Sequence, residues 1–219
     1  MAHAAAAFWM VSMGEAEQHL CTICKRFARV VPEHAPFPVK PARSKDPYRA
    51  LVRAVVYQQL SGKAAGTIHG RVLALYPDQD HPEPEDLIKT KDEKLRGAGL
   101  SRQKIAALKD IAAKRIDGTI PQARALTRLS DEEIIERLTA ARGVGRWTVE
   151  MYLIFSLGRL DVLPIDDLGV RKGAEKLYRR EFTPKTLGAY GERWAPYRSA
   201  AAWHLWRVAD TQTPEQSKL

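Results

Sequence analysis

Residues 138–151, Leu-Thr-Ala-Ala-Arg-Gly-Val-Gly-Arg-Trp-Thr-Val-Glu-Met, are the most informative stretch of the chain, because they join two helical patterns through a Gly-x-Gly turn. Gly143 and Gly145 permit positive φ angles and leave no side chain over the turn. Backbone N–H groups at the start of the second helix are then exposed, where the helix dipole favours an anion such as a phosphate. The simpler interpretation is that the glycines only end one helix and start the next.

The residues just before this stretch predict the first helix of the pair. Ser130 is a suitable N-cap, and Glu133 supplies the acid of a capping box three residues later. Apolar residues at helical spacing follow, so we expect this helix to run to about Arg142.

Apolar residues also recur at helical spacing over most of the remaining chain, whereas strand-like alternation never persists. The patterns predict helices over residues 48–60, 63–75 and 87–95, and another that Ser101 opens and Gly118 closes. Prolines crowd residues 32–47, which predicts an extended connector. Residues 4–13 are expected to form a first helix or a packed arm, and residues 211–219 a frayed tail. The predicted fold class is all-α.

The composition is that of an ordinary folded protein, and its basic charge favours a polyanionic partner. The chain has 219 residues with 45% hydrophobic and 28% charged residues, and its formal charge of +9 makes nucleic acid the first candidate partner. No run approaches the roughly 20 apolar residues of a membrane span, so no membrane association is expected. The final Ser217-Lys218-Leu219 matches a peroxisomal address, but so short a motif arises readily by chance.

Metal and nucleophile chemistry have little support in the sequence. Cys21 and Cys24 have no second pair to complete a zinc or iron–sulfur site, and two buried thiols on one helix face suffice as an explanation. This use of cysteine fits reducing conditions. The six histidines are scattered, and neither a nucleotide-binding loop nor a nucleophilic serine motif is present.

The hairpin stretch and residues 160–173, Leu-Asp-Val-Leu-Pro-Ile-Asp-Asp-Leu-Gly-Val-Arg-Lys-Gly, together resemble the helix-hairpin-helix DNA glycosylase superfamily. The resemblance is closest to the 3-methyladenine DNA glycosylase II family, and it extends to residues 57–61 (Tyr-Gln-Gln-Leu-Ser) and 194–199 (Trp-Ala-Pro-Tyr-Arg-Ser). It implies an enzyme of base excision repair that flips alkylated bases, such as 3-methyladenine and 7-methylguanine, out of the duplex. Such an enzyme hydrolyses the N-glycosidic bond and leaves an abasic site.

The family also implies two helical lobes with a DNA-binding cleft between them. Together with the proline-rich connector, this predicts an N-terminal helical arm over residues 1–47 that packs with the C-terminal lobe. A helical barrel lobe over 48–165 contains the helix-hairpin-helix at about 131–158, and a C-terminal helical lobe over 166–210 is followed by the tail.

The carboxylate that drives base excision in this family corresponds to Asp167. Breaking the N-glycosidic bond builds positive charge on the deoxyribose. A nearby carboxylate can stabilise this charge electrostatically, or it can align a water molecule. Asp166 and Asp167 precede a helical pattern, whose dipole helps to keep a carboxylate ionised. Either aspartate could simply cap that helix, and capping is the preferred interpretation for Asp166.

Trp147 stands where the lyase branch of the superfamily has a Schiff-base lysine, so the resemblance implies a monofunctional enzyme. An indole there could stack on a cationic base, although simple core packing remains an alternative. The resemblance places Trp147, Met151, Asp166, Leu168 and Trp206 in the base pocket. The best-known members carry tyrosines at the positions of Met151 and Leu168, which leaves the ranking of substrates open. For Trp206, core packing is an equal alternative.

DNA contacts are implied for the matching segments. Leu60 would fill the gap left by the flipped nucleotide, although a leucine at a helix end can also face the core. The other candidates are Gln59, Ser61, Lys63, Gly143, Gly145, Arg146, Thr148 and Lys172. Any single basic residue among them could instead be solvated surface.

The family places a sodium or potassium ion at the hairpin, here on the backbone carbonyls of Thr139, Ala141 and Val144, and implies no organic cofactor. The expected partner is double-stranded DNA with damaged bases, and the expected state is a monomer. The compartment would be the cytoplasm or nucleoid of a bacterium, or the nucleus of a eukaryote. Two alternatives remain: a glycosylase for uracil, hypoxanthine or mismatched thymine, and a non-catalytic protein that recognises bent or damaged duplex by shape.

Overall fold

The computed structural model of the protein describes residues 14–38 and 46–209. The first helix or arm expected over 4–13 and the tail expected over 211–219 lie outside these ranges. All regular structure in the described residues is helical, which confirms the all-α prediction. No helix in this part of the chain is both long enough and apolar enough to cross a membrane.

Thirteen α-helices lie in the described part of the chain, in three cases continued by other helical turns. They are α1 (Glu15–Ile23), α2 (Phe27–Val30), α3 (Pro47–Tyr57), α4 (Gly62–Leu73), α5 (Pro84–Lys89), α6 (Asp92–Gly97), α7 (Arg102–Ile116), α8 (Ala123–Leu126), α9 (Asp131–Thr139), α10 (Arg146–Met151), α11 (Leu168–Tyr178), α12 (Pro184–Gly191) and α13 (Arg198–Val208). Short 3-10 helices follow α2 (Val31–Glu33) and α12 (Glu192–Trp194), and a π-helix (Tyr152–Leu157) continues α10.

The described residues divide into two compact units, with one boundary between residues 38 and 46 and the other after residue 156. The predicted boundaries after residues 47 and 165 lie a few residues further along the chain. The first unit contains the described residues 14–38 and 157–209, and the second contains residues 46–156. Residues 14–38 of the predicted N-terminal arm therefore belong to the same unit as the C-terminal helices, whereas residues 46 and 47 belong to the second unit.

The second unit has α7 at its centre. Its buried face, which includes Ile105, Leu108 and Ile111, packs with α3 and α5. The hairpin helices α9 and α10 pack on each other, and α9 begins with the predicted capping box. Ser130 accepts a hydrogen bond from the N–H of Glu133, whose carboxylate accepts one from the N–H of Ser130. The prediction of this helix start is confirmed.

Three of the predicted helices are interrupted or end earlier than expected, each because of a local change in the backbone. The helix expected to reach Arg142 ends at Thr139, before Gly143 takes a φ of 77°. The helix expected over 87–95 is two helices, because Thr90 is extended and ends α5. The helix expected to reach residue 60 ends at Tyr57, since Gln59 has a left-handed φ of 58°.

The proline-rich connector is only partly extended. The segment Val31–Glu33 is a 3-10 helix, residues 34–38 have no regular structure, and Pro47 is the first residue of α3. Residues 39–45 lie outside the described ranges. Helix α1 contains Cys21, but both thiols are only half-buried, so the expectation of two buried thiols is wrong.

The first unit is organised by a close approach of α11 to α13. A Cβ on Gly173 of α11 would lie 1.9 Å from the carbonyl oxygen of Leu205 in α13, so only glycine fits there. The N-terminal residues pack on α13 as well, where the indole N–H of Trp203 donates to the carbonyl of Ala35 at 3.0 Å. Buried Glu17 accepts a hydrogen bond from the N–H of Phe37 at 2.7 Å.

Replacing Gly173 with alanine should destabilise the first unit by about 3 kcal/mol or more, because the new methyl group would overlap a backbone oxygen that cannot rotate away. Urea denaturation measures the loss. Gly188→Ala is the matched control in the same unit, since a Cβ there meets only Ile165 at ordinary contact distance. Equal stability of the two variants would contradict the close approach of α11 to α13.

The pH dependence of stability should report on His81, which is 7% exposed and packs against the ring of Tyr48 in the second unit. Burial lowers the pKa of His81 from 6.5 to about 4. Below pH 6.5, His81 therefore becomes protonated in the unfolded chain while it stays neutral in the folded chain. Stability should fall between about pH 6.5 and 4, at up to about 1.4 kcal/mol per pH unit.

Urea denaturation of the wild type and His81→Phe at pH 7, 6 and 5 isolates this contribution. The phenylalanine keeps an aromatic ring beside Tyr48 but cannot titrate, so its stability should decline less steeply. Parallel pH profiles would show that His81 does not contribute.

Candidate functional site

Asp167 is the N-cap of α11 and is held by two hydrogen bonds. The backbone N–H of Val170 donates to Oδ1 of Asp167 at 2.8 Å, and the indole N–H of Trp206 donates to the same oxygen at 2.8 Å. Both donors, together with the positive end of the α11 dipole, stabilise a negative charge on this carboxylate. The preferred capping assignment to Asp166 is therefore wrong, because Asp167 is the cap.

Trp206 reaches Asp167 because α13 lies directly against α11 at Gly173. Its side chain is only 2% exposed, and its N–H points at a carboxylate 39 residues earlier in the chain. The burial of Trp206 agrees with the core-packing alternative. The hydrogen bond to Asp167 is a contact that the sequence did not indicate. A wall of the base pocket stays a prediction for this residue.

The residues around Asp167 form an exposed rim. Leu168 is 54% exposed although it is a large apolar side chain, and Asp166 is exposed beside it. Lys172 is exposed one turn further along α11. The structure therefore brings Asp166, Asp167, Leu168 and Trp206 together, and the exposed apolar leucine is suited to contact a ligand.

In the second unit, the loop between α3 and α4 presents Leu60. Gln58 is the C-cap of α3, Gln59 takes the left-handed conformation, and Leu60 follows with 39% of its surface exposed. Ser61 is the N-cap of α4 and Lys63 is exposed on its first turn. We call residues 58–61 the plug loop. Leu60 does not face the core, so the alternative of a helix-end leucine packed in the core does not hold.

The hairpin turn between α9 and α10 uses its two glycines differently. Gly143 has the expected positive φ, whereas Gly145 has a φ of −92° and is the N-cap of α10, so the expectation of a positive φ fails there. A Cβ on Gly145 would meet nothing within 4 Å. Neither conformation nor packing requires glycine at 145, and its absent side chain leaves the first backbone N–H groups of α10 open to an approaching group.

The side chains of α10 divide into exposed and buried sets. Trp147 is 42% exposed, so core packing does not account for it. Met151 is 1% exposed and Thr148 is 8% exposed, so both lie mainly in the core of this unit. The predicted contacts of Met151 with a base and of Thr148 with DNA stay predictions. Such contacts would have to use the backbone groups of these residues or the small exposed part of their side chains.

Arg146 is paired with carboxylates. Its guanidinium donates to Glu132 at 3.0 Å and to buried Glu150 at 3.0 Å. The hydrogen bond to Glu132 raises the pKa of Arg146 above its ordinary value, against the opposing effect of burial. These pairs support the hairpin, and they leave Lys63 and Lys172 as better candidates for phosphate contacts.

A polar cavity of about 300 Å³ lies beside the plug loop and the hairpin turn. It is lined by Val55, Gln58, Gln59, Ser101, Gln103, Lys104, Ala107, Arg142 and Gly143. Burial lowers the pKa of Lys104, whose ammonium group donates to the backbone carbonyls of Val56 in α3 and Gln58 in the plug loop. No sequence motif singles out Lys104, because a lysine on a helix normally indicates solvated surface.

Comparison with known proteins identifies the family. The model of the HhH-GPD superfamily of base excision DNA repair proteins matches residues 52–196. This chain belongs to that superfamily. DNA-3-methyladenine glycosylase 1 of Schizosaccharomyces pombe is 41% identical over 95% of this chain and 94% of its own length.

Two solved structures share the HhH-GPD fold with this chain. The S. pombe 3-methyladenine DNA glycosylase in complex with abasic DNA has a TM-score of 0.77 at 42% identity, over 90% of this chain and 97% of that one. A DNA-3-methyladenine glycosidase from Bacillus halodurans has a TM-score of 0.79 at 36% identity, over 90% of each chain. The resemblance inferred from the sequence motifs is confirmed at the level of the family.

Trp206→Phe should slow base excision roughly 10- to 100-fold, because a hydrogen bond to a charged group contributes about 1.5–3 kcal/mol. The ring volume is largely kept, while the N–H donor to Asp167 is lost. Trp203→Phe is the matched control on the same helix, since its indole N–H donates to the carbonyl of Ala35 instead. Single-turnover excision assays compare the two variants, and equal losses would contradict a specific role of the bond to Asp167.

Proposed function

We propose that this protein is a monofunctional DNA glycosylase that removes alkylated bases, such as 3-methyladenine and 7-methylguanine, from double-stranded DNA. The observation that carries the proposal is the carboxylate of Asp167, which two N–H donors orient at the start of α11. The names of the S. pombe and B. halodurans relatives support this class of substrate.

Asp167 supplies the charge that the reaction needs. When the N-glycosidic bond breaks, positive charge grows on the deoxyribose, and a fixed carboxylate stabilises that charge without having to reorganise. The bonds from Val170 and Trp206 hold Oδ1, so the side chain keeps one orientation throughout the reaction. Water then completes the hydrolysis and the abasic site remains in the DNA.

The absence of a suitable amine at position 147 supports a monofunctional reaction. Trp147 has no nucleophile that could form a Schiff base with the sugar, so the enzyme would not cleave the strand itself. Its exposed indole fits stacking on an electron-poor methylated base. Such bases already carry positive charge and leave readily, so modest catalysis suffices for several of them.

The second unit would bind the duplex. The open N-terminus of α10 and the exposed Lys63 offer phosphate contacts, and the first unit adds Lys172. Leu60 is exposed on the plug loop and would occupy the space of the flipped nucleotide, which offsets part of the unstacking cost of a few kcal/mol.

We also propose a sodium or potassium ion at the hairpin, with no organic cofactor. Thr139 ends α9, and the last carbonyls of a helix lack partners within it. The carbonyl of Ala141 already accepts one bond, from the N–H of Val144 at 3.1 Å, and keeps a second lone pair. Oxygen donors without a carboxylate among them suit a monovalent cation, which would support the turn electrostatically.

Asp167→Asn tests the proposed reaction most directly. Asparagine can still accept both N–H bonds through its amide oxygen, so the cap and the Trp206 contact are kept while the charge is lost. We expect excision to fall roughly 100- to 1,000-fold, in the range that fixed electrostatic groups contribute to catalysis. The measurement is release of methylated bases from duplex DNA treated with dimethyl sulfate, with strand breaks scored before and after alkali.

The wild type should release bases and yield strand breaks only after alkali. Breaks before alkali would contradict the monofunctional assignment. A folded wild type that binds this DNA but releases no base would overturn alkylbase excision, and would favour another lesion or a protein that only binds DNA.

A further inference from the structure

The plug loop and the hairpin turn are attached to the same side of α7. Three residues of this helix make the attachments, namely Lys104, Ala107 and Asp110. Because they are spaced three apart, they follow one another along one side of the helix, about 4.5 Å per step. We call them the 104–110 face.

Lys104 holds the start of the plug loop. Its ammonium group donates to the carbonyls of Val56 and Gln58, both at 2.8 Å. These carbonyls lie at the end of α3, where the helix dipole favours a cation. The next residue, Gln59, is in the left-handed conformation, which is uncommon for a residue other than glycine. Lys104 therefore fixes the backbone immediately before the reversal that exposes Leu60.

The other two residues of the 104–110 face hold the hairpin turn. The carboxylate of Asp110 accepts a hydrogen bond from the backbone N–H of Arg142 at 2.7 Å, and is itself bound by Lys114 at 2.7 Å. Ala107 lies so close to Gly143 that a Cβ there would be 3.2 Å from that of Ala107. The turn thus rests directly on α7 at the residue that takes the positive φ.

Gln58 joins the two elements to each other. Its side-chain amide donates to the backbone carbonyl of Gly143 at 2.9 Å, while its backbone carbonyl accepts a hydrogen bond from the ammonium group of Lys104. The plug loop, the hairpin turn and α7 therefore form a closed set of contacts within the second unit. A shift of the loop would have to break bonds to both partners.

We propose that Lys104 and Asp110 are positioning residues that fix the spacing between the plug loop and the hairpin turn on α7, so that Leu60 enters the duplex while the hairpin binds its phosphates. This inference rests on the proposed base-flipping function. Neither residue touches the reacting atoms. Their effect is greatest when a paired base must be displaced, and small when the base is already unpaired.

A direct phosphate contact by Lys104 is the competing explanation, because it lines the polar cavity beside the loop. The two explanations differ in their dependence on salt. Loss of a phosphate contact lowers the slope of log affinity against log salt by about 1, whereas loss of a positioning contact leaves the slope unchanged.

The test measures single-turnover excision of 7-methylguanine from two duplexes, one with the lesion paired to cytosine and one with the lesion in a one-nucleotide bulge. We expect Lys104→Met to slow excision at least 10-fold on the paired duplex and less than about 3-fold on the bulge, because unpaired bases flip at lower cost. Asp110→Ala should show the same pattern. Combined with Leu60→Ala, Lys104→Met should add little further loss, since both changes disable the same step.

Lys109→Met is the matched control, because Lys109 lies on the same helix but pairs with Asp92 instead of the loop. It should leave excision from both duplexes unchanged. Hydrogen–deuterium exchange provides a readout that does not need activity. Amides of residues 59–61 should exchange faster in Lys104→Met, and those of residues 142–144 faster in Asp110→Ala.

Equal losses on the paired and bulged duplexes, a lower salt slope, or unchanged exchange in the loop would overturn the positioning role while leaving the proposed function intact. A wild type without activity on either duplex would instead overturn the proposed function and the flipping role with it. The exchange data would still decide whether Lys104 holds the loop.

Discussion

The first unit depends on the close approach of α11 to α13 at Gly173, because this contact brings the indole of Trp206 to Asp167. A carboxylate at a helix N-cap is already oriented by one backbone N–H. The second donor adds a buried, rigid aromatic group that cannot follow the carboxylate if it rotates. The lack of a side chain at Gly173 therefore determines the geometry of the carboxylate on which the proposed chemistry relies.

In the second unit, contacts with a neighbouring helix position an exposed loop. A loop that is to enter DNA, as proposed for the plug loop, has to expose an apolar side chain such as Leu60, and exposure alone leaves a loop mobile. Attachment of the backbone just before Leu60 to α7, and of the Gln58 side chain to the hairpin turn, holds the loop without covering its tip. The hydrogen bonds from Lys104 to backbone carbonyls suit this task, because they leave the side chain of Leu60 exposed.

The sequence predicted the fold class, the capped hairpin and the family, because these depend on local patterns and on motifs within one stretch. It did not predict which aspartate caps α11, since both precede the helix and only the backbone geometry decides between them. The bonds from Trp206 to Asp167 and from Lys104 to Val56 join residues 39 and 48 positions apart. No periodicity reports on such pairs, and the burial of Met151 and the ion pairs of Arg146 were not predicted for the same reason.

In the proposed reaction, the two sets of contacts would act on different steps. A methylated base that carries positive charge leaves readily, so little of the barrier needs to be removed at the glycosidic bond. Displacing that base from a stacked duplex costs a few kcal/mol whatever its chemistry. An enzyme for several cationic lesions can therefore combine one well-oriented carboxylate with a rigid flipping apparatus, and it needs no tight fit to a single base. The contacts of Asp167 and those of the 104–110 face share no residue, so each step can be altered without the other.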